Sequence, residues 1–505
     1  MVFSFEGSNR PEKKSTLANT QNIAYNIGKC ERLPFIGMIG GRRERTGTVK
    51  GWAYRRWAGK WKLKLSPAKI IAIAFALIIL IGTGLLALPA ASRDGNSCGL
   101  LGALFTATSA TCVTGLVLYD TWVQWSGFGQ IVILCLIEIG GLGFMTAASF
   151  VIFLLRKRVG LKQRMLMAQA LSVNDMEGVV RLQKWVLFGS LGIQIVGALI
   201  LFFRFLPDYG ARQAIMWGVF HAVSAFCNAG FDILGSVEPG VGMMAFQTDA
   251  VVLLTLMLLI VLGGLGFFVW EEVIRVRSWR KFSVYTKLVL LTSGVLILGG
   301  ALCICVAEWN NPDTLGAMSA PEKILNGFFQ SVTVRTAGFA SVDQAGLTET
   351  GKAASIFLML IGGSSGSTAG GVKTVTMIVL LLFLWSRIRG KGSVQIFQRT
   401  VPERQVLDAM TIVSVLWMLA LFGGVFICIT SPVTFVDGLF ESVSALATVG
   451  LTAAGTTSLS LPAKILMIIY MYFGRVGVLT LSLSFLMGNK AQERYRYAYT
   501  NLLIG

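Results

Sequence analysis

The sequence predicts an all-α polytopic membrane protein. It is built of four tandem span–short helix–span units, with eight transmembrane helices and four re-entrant loops around a pseudo-fourfold axis. Three observations carry that expectation. Long uncharged apolar runs recur along the chain, basic clusters follow every second run, and one small-residue motif returns four times between the runs.

The apolar runs come first. With 54% hydrophobic and only 14% charged residues, and a mean hydropathy of +0.69, the chain is too apolar for a soluble globule. Residues 70–90, IIAIAFALIILIGTGLLALPA, carry no charge, and roughly 20 such residues cross a bilayer as a helix. Further runs at 128–155, 185–205, 250–270, 288–306, 353–385, 410–429 and 463–487 bring the expected spans to eight. Helices are expected because lipid leaves backbone polar groups no outside partner.

Charge orients the spans. The net charge of +19 is not spread as a nucleic-acid surface would be. Arg156, Lys157, Arg158, Lys162 and Arg164 follow the second run; Arg275, Arg277, Arg280 and Lys281 follow the fourth. Arg387, Arg389, Lys391 and Arg399 follow the sixth, and Lys490, Arg494 and Arg496 the eighth. If spans alternate, these share one side, which places both termini in the cytoplasm. Asp120, Asp208, Glu238, Asp249, Glu308, Asp313, Glu322, Asp343 and Glu349 fall on the other side. The first 64 residues hold 14 Lys/Arg against 4 Glu and no apolar h-region. They read as a cytoplasmic tail attracted to anionic lipid, not as a cleavable signal peptide.

The third observation is the repeat. TATSATCVTGLVLYD (106–120) is small, hydroxyl-rich and broken by Gly115. Its relatives are WGVFHAVSAFCNAGFD around Gly230, NGFFQSVTVRTAGFAS around Gly338 and DGLFESVSALATVGLT around Gly450, spaced 115, 108 and 112 residues apart. Ten residues before each glycine stands Phe105, Phe220, Phe328 or Phe440. Six before stands Ser109, Ser224 or Ser444, with Val332 the exception. The units fall at 66–165, 166–282, 283–400 and 401–505, after a basic tail at 1–65.

Each motif begins with about 10 apolar residues, too few to cross a bilayer. A re-entrant half-helix fits, since irregular backbone at membrane depth survives only where protein buries it or a wet cavity receives it. Four loops about one axis can aim carbonyl oxygens at a dehydrated cation. Glycine gives the needed backbone angles and keeps side chains out of the path. Thr111, Thr114, Thr336 and Thr448 add hydroxyls, and oxygen donors suit alkali cations. The alternative is four ordinary turns inherited by duplication; their common register argues for a pore.

TCVTGL, CNAGFD, RTAGFA and ATVGLT, set in four such units, resemble the Trk/Ktr/HKT superfamily of potassium transporters over residues 66–505. Eight spans resemble the Ktr membrane subunits most. The resemblance implies a selectivity filter of Val113-Thr114-Gly115, Asn228-Ala229-Gly230, Thr336-Ala337-Gly338 and Thr448-Val449-Gly450. Four glycines resemble its potassium-selective pattern, as opposed to serine at the first position. The resemblance further implies a cytosolic KtrA-type nucleotide-binding ring as partner, a homodimer with one pore per protomer, and a plasma-membrane location. It also implies potassium as the transported ion and sodium as an activator, with no organic cofactor expected in this chain.

Within the sixth run, IGGSSGSTAGGVKT (361–374) holds Gly362, Gly363, Gly366, Gly370 and Gly371. Each interior glycine weakens a helix by ~1 kcal/mol. The segment reads either as a helix kinked and packed through small residues or, as the resemblance implies, as an intramembrane gate loop. Lys373 either belongs to that gate or snorkels from a helix end. Arg475 lies inside the eighth run, where a charge is expected to face the bundle interior or water; the resemblance places it beside the gate as an electrostatic barrier and a partner to loop carbonyls. Arg335 either repels cations or braces its loop sideways, with Glu441 as a candidate partner. IGGLGF and LGGLGF, at 139–144 and 262–267, read as close-packing elements.

Transport fits these features and enzymology does not. His221 is the only histidine, and the eight cysteines lack metal or disulfide spacing. A coupled sodium or proton symporter is the alternative transporter, with Glu138 as its candidate carboxylate.

Overall fold

A computed structural model describes residues 67–143, 146 and 179–477, all within one unit, Leu65–Gly505. The basic tail, the clusters at 156–164 and 490–496, and the far ends of the second and eighth apolar runs lie outside the described residues.

Four units follow one another. The first is α1 (Pro67–Leu86), α2 (Gly99–Cys112) and α3 (Gly127–Leu142). The second is α4 (Val179–Cys227), α5 (Ala250–Leu265) and α6 (Phe267–Val276). The third is α7 (Val284–Glu308), α8 (Ala320–Thr333), α9 (Glu349–Leu360) and α10 (Thr374–Ile388). A small hairpin, β1 (Gln395–Ile396) with β2 (Arg399–Thr400), leads to the fourth: α11 (Glu403–Thr430), α12 (Phe435–Leu446) and α13 (Leu461–Val476). Side-chain caps start many of these helices. Ser126, Asp249, Ser283, Thr348, Thr434 and Ser460 each accept from a first-turn amide, as helix N-termini with four orphan N–H groups require.

α4 folds back within itself. Gly210 takes φ 75° and ψ 163°, which interrupts the helix after Pro207. The second stretch then lies against the first, and a side chain on Gly218 would strike Ala198 O at 2.8 Å. Fully buried Trp217 fixes the corner, edge-on to Phe205 with ring centres 5.4 Å apart. The short helix of unit two is therefore the latter part of α4.

Small residues let the first helix of a unit touch its short helix, as expected where lipid supplies no hydrophobic drive between helices. Gly300 on α7 faces Ser331, and Gly423 on α11 faces Ser442. Ser331 donates to Ile297 O (2.9 Å) and Ser442 to Ala420 O (2.9 Å). The units also close on each other: α3 packs on α4, α5 on α8, α9 on α12, and α13 back on α2.

Among the described residues α1, α4, α7 and α11 are each long and apolar enough to cross a membrane. α5 and α6 pass that test together, but the chain turns by 95° between them. The expected straight run at 250–270 is thus broken at Gly266, whose φ of 93° ends α5. Outer faces remain apolar and exposed, with Leu80, Phe188, Val295 and Met418 among them. This is a multi-pass helical membrane protein.

Candidate functional site: a ring of four glycine loops over a glycine-rich loop

The four motifs meet at one place. Each short helix is followed by a residue in the left-handed region two positions before its glycine: Val113 (φ 58°), Asn228 (59°), Thr336 (74°) and Thr448 (54°). The glycines follow at φ 95°, 67°, 84° and 99°. A side chain on Gly115 would lie 2.5 Å from Ala229 O, on Gly230 2.6 Å from Ala337 O, and on Gly338 2.5 Å from Val449 O. On Gly450 it would overlap Thr114 O, which closes the circuit. The glycines are required twice over, by backbone angle and by the carbonyl of the next loop. The resulting ring joins all twelve expected filter residues: Val113, Thr114, Gly115, Asn228, Ala229, Gly230, Thr336, Ala337, Gly338, Thr448, Val449 and Gly450. Thr111, Thr114 and Thr448 hold buried hydroxyls with no protein partner. Orphaned oxygens and ringed carbonyls are the kind of donor set able to replace a cation's water.

The recurring serine is the brace. Ser109 Oγ accepts from Gly115 N (3.1 Å), and Ser444 Oγ from Gly450 N (3.1 Å) while donating to Leu451 O (2.6 Å). Ser224 donates to Phe231 O (2.8 Å). Val332 cannot do this, and Thr333, one position later, donates to Phe339 O instead (2.7 Å). Unit three shifts the hydroxyl by one residue, and full burial shifts likewise from Phe328 to Phe329. A second brace sits nine residues before the glycine. His221 Nε2 accepts from Ile233 N (3.4 Å), and Glu441 Oε1 from Ala453 N (2.9 Å) and Ala454 N (3.0 Å). Among the described residues no group of three or more His, Cys, Asp or Glu could hold a metal.

Beneath the ring, the second helices stop at a glycine. α3 ends at Gly143, α5 at Gly266 and α13 at Gly477, all with φ between 84° and 93°. Three residues earlier, Gly140, Gly263 and Gly474 each press on a carbonyl of a short helix: Thr111 O, Phe226 O and Leu446 O. A helix that stops leaves its last carbonyls open. Gly264 O accepts from Ser364 N (2.9 Å) and Gly263 O from Thr368 N (3.2 Å). Gly140 O and Gly141 O accept from Arg475, which also donates to Thr368 O.

The segment 361–373 is not helical; α9 ends at Leu360 and α10 begins at Thr374. It closes on itself through Gly362 N to Val372 O (2.9 Å) and lies directly under the ring. A side chain on Gly362 would meet Thr336 Cγ2 at 3.3 Å, and one on Gly370 would occupy the place of Thr448 Oγ1. Gly371 approaches Ala447, and Gly366 O accepts from Phe267 N (2.9 Å). Gly363 faces Gly264 O. Tyr285 Oη donates to Ser365 O (2.9 Å). Lys373 turns back onto the loop, its ammonium donating to Ala369 O (2.7 Å).

The TrkH family model, described as cation transport protein, matches residues 47–495. The chain belongs to the TrkH family of cation transport proteins. It is 38% identical over 447 residues to the potassium/sodium uptake protein NtpJ of Enterococcus hirae, covering 88% of this chain and 98% of that one. It is 40% identical to the Ktr system potassium uptake protein B of Bacillus subtilis over 437 residues, covering 86% and 96%. The fold matches the crystal structure of the potassium transporter TrkH from Vibrio parahaemolyticus at a TM-score of 0.65, with 17% identity, covering 84% of this chain and 86% of that one. Family and fold are those of a cation transporter and not of an enzyme.

In this TrkH-family chain the expected Arg335–Glu441 pair does not form. Glu441 spends Oε1 on its own loop, also accepting from Thr452 (2.5 Å), and Arg335 turns sideways toward α5 and α7. Glu138 lies against the end of the second short helix; its Oε2 accepts from Gln194 (3.0 Å) and Cys227 (3.3 Å). The GG pairs of IGGLGF and LGGLGF do pack closely, but their open carbonyls were not foreseen. The signal was present, since GGLG, GGLG and GRVG repeat in units one, two and four. Asp232, two residues beyond Gly230, was also missed. Desolvation, with Asp120 close by, pushes its carboxyl up to about 6 despite a hydrogen bond from Leu234 N.

Proposed function

We propose that this chain is the ion-translocating subunit of a Ktr-type potassium uptake system. In that reading eight spans and four re-entrant loops make one pore in each protomer of a plasma-membrane homodimer, with both termini cytoplasmic. The twelve ring residues are the filter. The loop at 361–374, with Lys373 and Arg475, is the gate. A separate cytosolic KtrA-type nucleotide-binding ring docks on the basic face and moves it. The membrane potential drives uptake, since about 100 mV, interior negative, supplies ~2.3 kcal/mol per charge.

The closed circuit of glycines and carbonyls carries this reading. Four loops from four parts of the chain, each with the same positive-φ pair, present one oxygen-lined point directly above a loop of small residues. Relatives of similar length whose names specify potassium uptake support the ion. A sodium- or proton-coupled symporter is the second reading, favoured by Glu138 Oε1, which is buried without a partner. Sodium as an activator fits either.

The test is growth of a potassium-uptake-deficient bacterium on low potassium, with and without a Ktr-type regulator, comparing wild type with Gly115→Ser. Rescue that needs the regulator, and that weakens or admits sodium with serine, is expected. Failure of well-inserted protein in both settings refutes the assignment. Potassium flux in vesicles without a sodium or proton gradient separates the pore from the symporter.

A further inference from the structure

Arg335 lies three residues before Gly338 and helps line a partly open cavity of about 20 Å³ behind the third loop. Val261 and Leu265 of α5, Ser293 and Ile297 of α7, and Gly363 of the loop beneath the ring share its walls. No carboxylate lines it. Among the described residues Arg335 enters no ion pair, and its Nε is buried without a hydrogen-bond partner.

A guanidinium whose Nε is buried among mostly apolar side chains is unfavourable, because burial strips water from that edge and nothing of opposite sign replaces it. Arginine has no escape by losing its proton. The charge also stands beside the ring, where it raises the energy of any cation. One small anion answers both problems. The cavity has room for about one water-sized body, a space suited to a small anion and not to a long organic acid. Ser293 brings a hydroxyl donor from a second helix.

We propose that Arg335 and Ser293 hold a halide-class anion in this cavity, chloride in the cell. It neutralises Arg335 behind the ring and sits against Gly363 of the glycine-rich loop. Uptake then depends on a co-ion that does not itself cross with the cation.

The experiment uses the full chain purified in detergent, with bromide and chloride as probes and gluconate, a long organic acid, as the control at equal ionic strength. Bromide-exchanged crystals should show anomalous density beside Arg335, and chloride or bromide should raise the melting temperature relative to gluconate. Arg335→Gln should abolish that difference. If Arg335→Gln does not fold, Ser293→Val serves, since it removes the hydroxyl and fills the space; it should weaken the halide effect severalfold. No density beside Arg335, with wild-type melting identical in all three anions, overturns the proposal and leaves water in the cavity. These two readouts do not depend on which cation permeates. The functional arm rests on the potassium reading: in vesicles with a proton carrier balancing charge, potassium flux falls severalfold in gluconate for wild type and is anion-independent in Arg335→Gln. Potassium flux indifferent to the anion in wild type counts against the regulatory role, and no flux in any anion counts against the potassium reading alone.

Discussion

Replacing Arg475 by alanine should open the candidate gate in the absence of any regulator. The guanidinium reaches three carbonyls on two elements: Gly140 O and Gly141 O at the end of α3, and Thr368 O on the glycine-rich loop. Only the last ties the loop. A hydrogen bond from a charged donor contributes about 1.5–3 kcal/mol. With 1.4 kcal/mol to each factor of ten, its loss raises the population of the displaced loop roughly 10- to 150-fold. Other ties, among them Ser364 N to Gly264 O, Thr368 N to Gly263 O, Phe267 N to Gly366 O and Tyr285 Oη to Ser365 O, keep the loop folded and bound the effect. Removing a fixed positive charge from the path below the ring adds to it in the same direction. Arg475→Lys should fall between, because one ammonium does not span all three acceptors. The assay is basal potassium flux in vesicles of the purified protein, with size-exclusion profile and melting temperature as controls for folding. Basal flux in a well-folded Arg475→Ala protein equal to wild type would refute the reasoning.

Three further outcomes follow from the ring and its supports. Ser444→Ala leaves Gly450 N and Leu451 O without their shared partner, a local cost of about 1–3 kcal/mol; potassium-over-sodium selectivity should fall at unchanged membrane levels, and more than for Ser109→Ala, which loses one bond. The Asp232 carboxyl is ionised above about 6 and neutral below it. Acidifying the medium on its side through that value should raise the apparent KM for potassium, and an Asp232→Asn protein with the same pH profile as wild type would exclude it as the titrating group. Lys352 and Asp437 join α9 to α12 at 2.7 Å with side chains 9% and 17% exposed. Lys352→Ala should cost about 1–3 kcal/mol, because it takes the cation from a partly buried carboxylate that keeps Thr434 Oγ1 as a donor. The melting temperature reads this loss, and the double replacement Lys352→Met with Asp437→Leu should recover most of it.

Sequence alone determined the class and the repeat. Runs of uncharged residues leave a chain few options but helices in lipid, and Gly115, Gly230, Gly338 and Gly450 stand in register because each of the four loops meets the same steric demand. The break in the sixth run was legible too, since five glycines in fourteen residues do not make a stable helix. What linear order could not give is which loop follows which around the ring, and what each polar group touches. Val332 looked like a defect until Thr333 was found holding the carbonyl that a serine holds elsewhere. Glu441 looked like a partner for Arg335, yet it is turned toward its own loop, as His221 is in unit two. Arg475 was recognisable as an interior charge. Of its three acceptors the resemblance pointed to the loop's own, Thr368 O; the other two were not legible, because they are open carbonyls created where α3 stops, more than three hundred residues away in the chain. Backbone groups carry no residue identity, so a site built from them is invisible to sequence until tertiary packing brings the broken helix ends together.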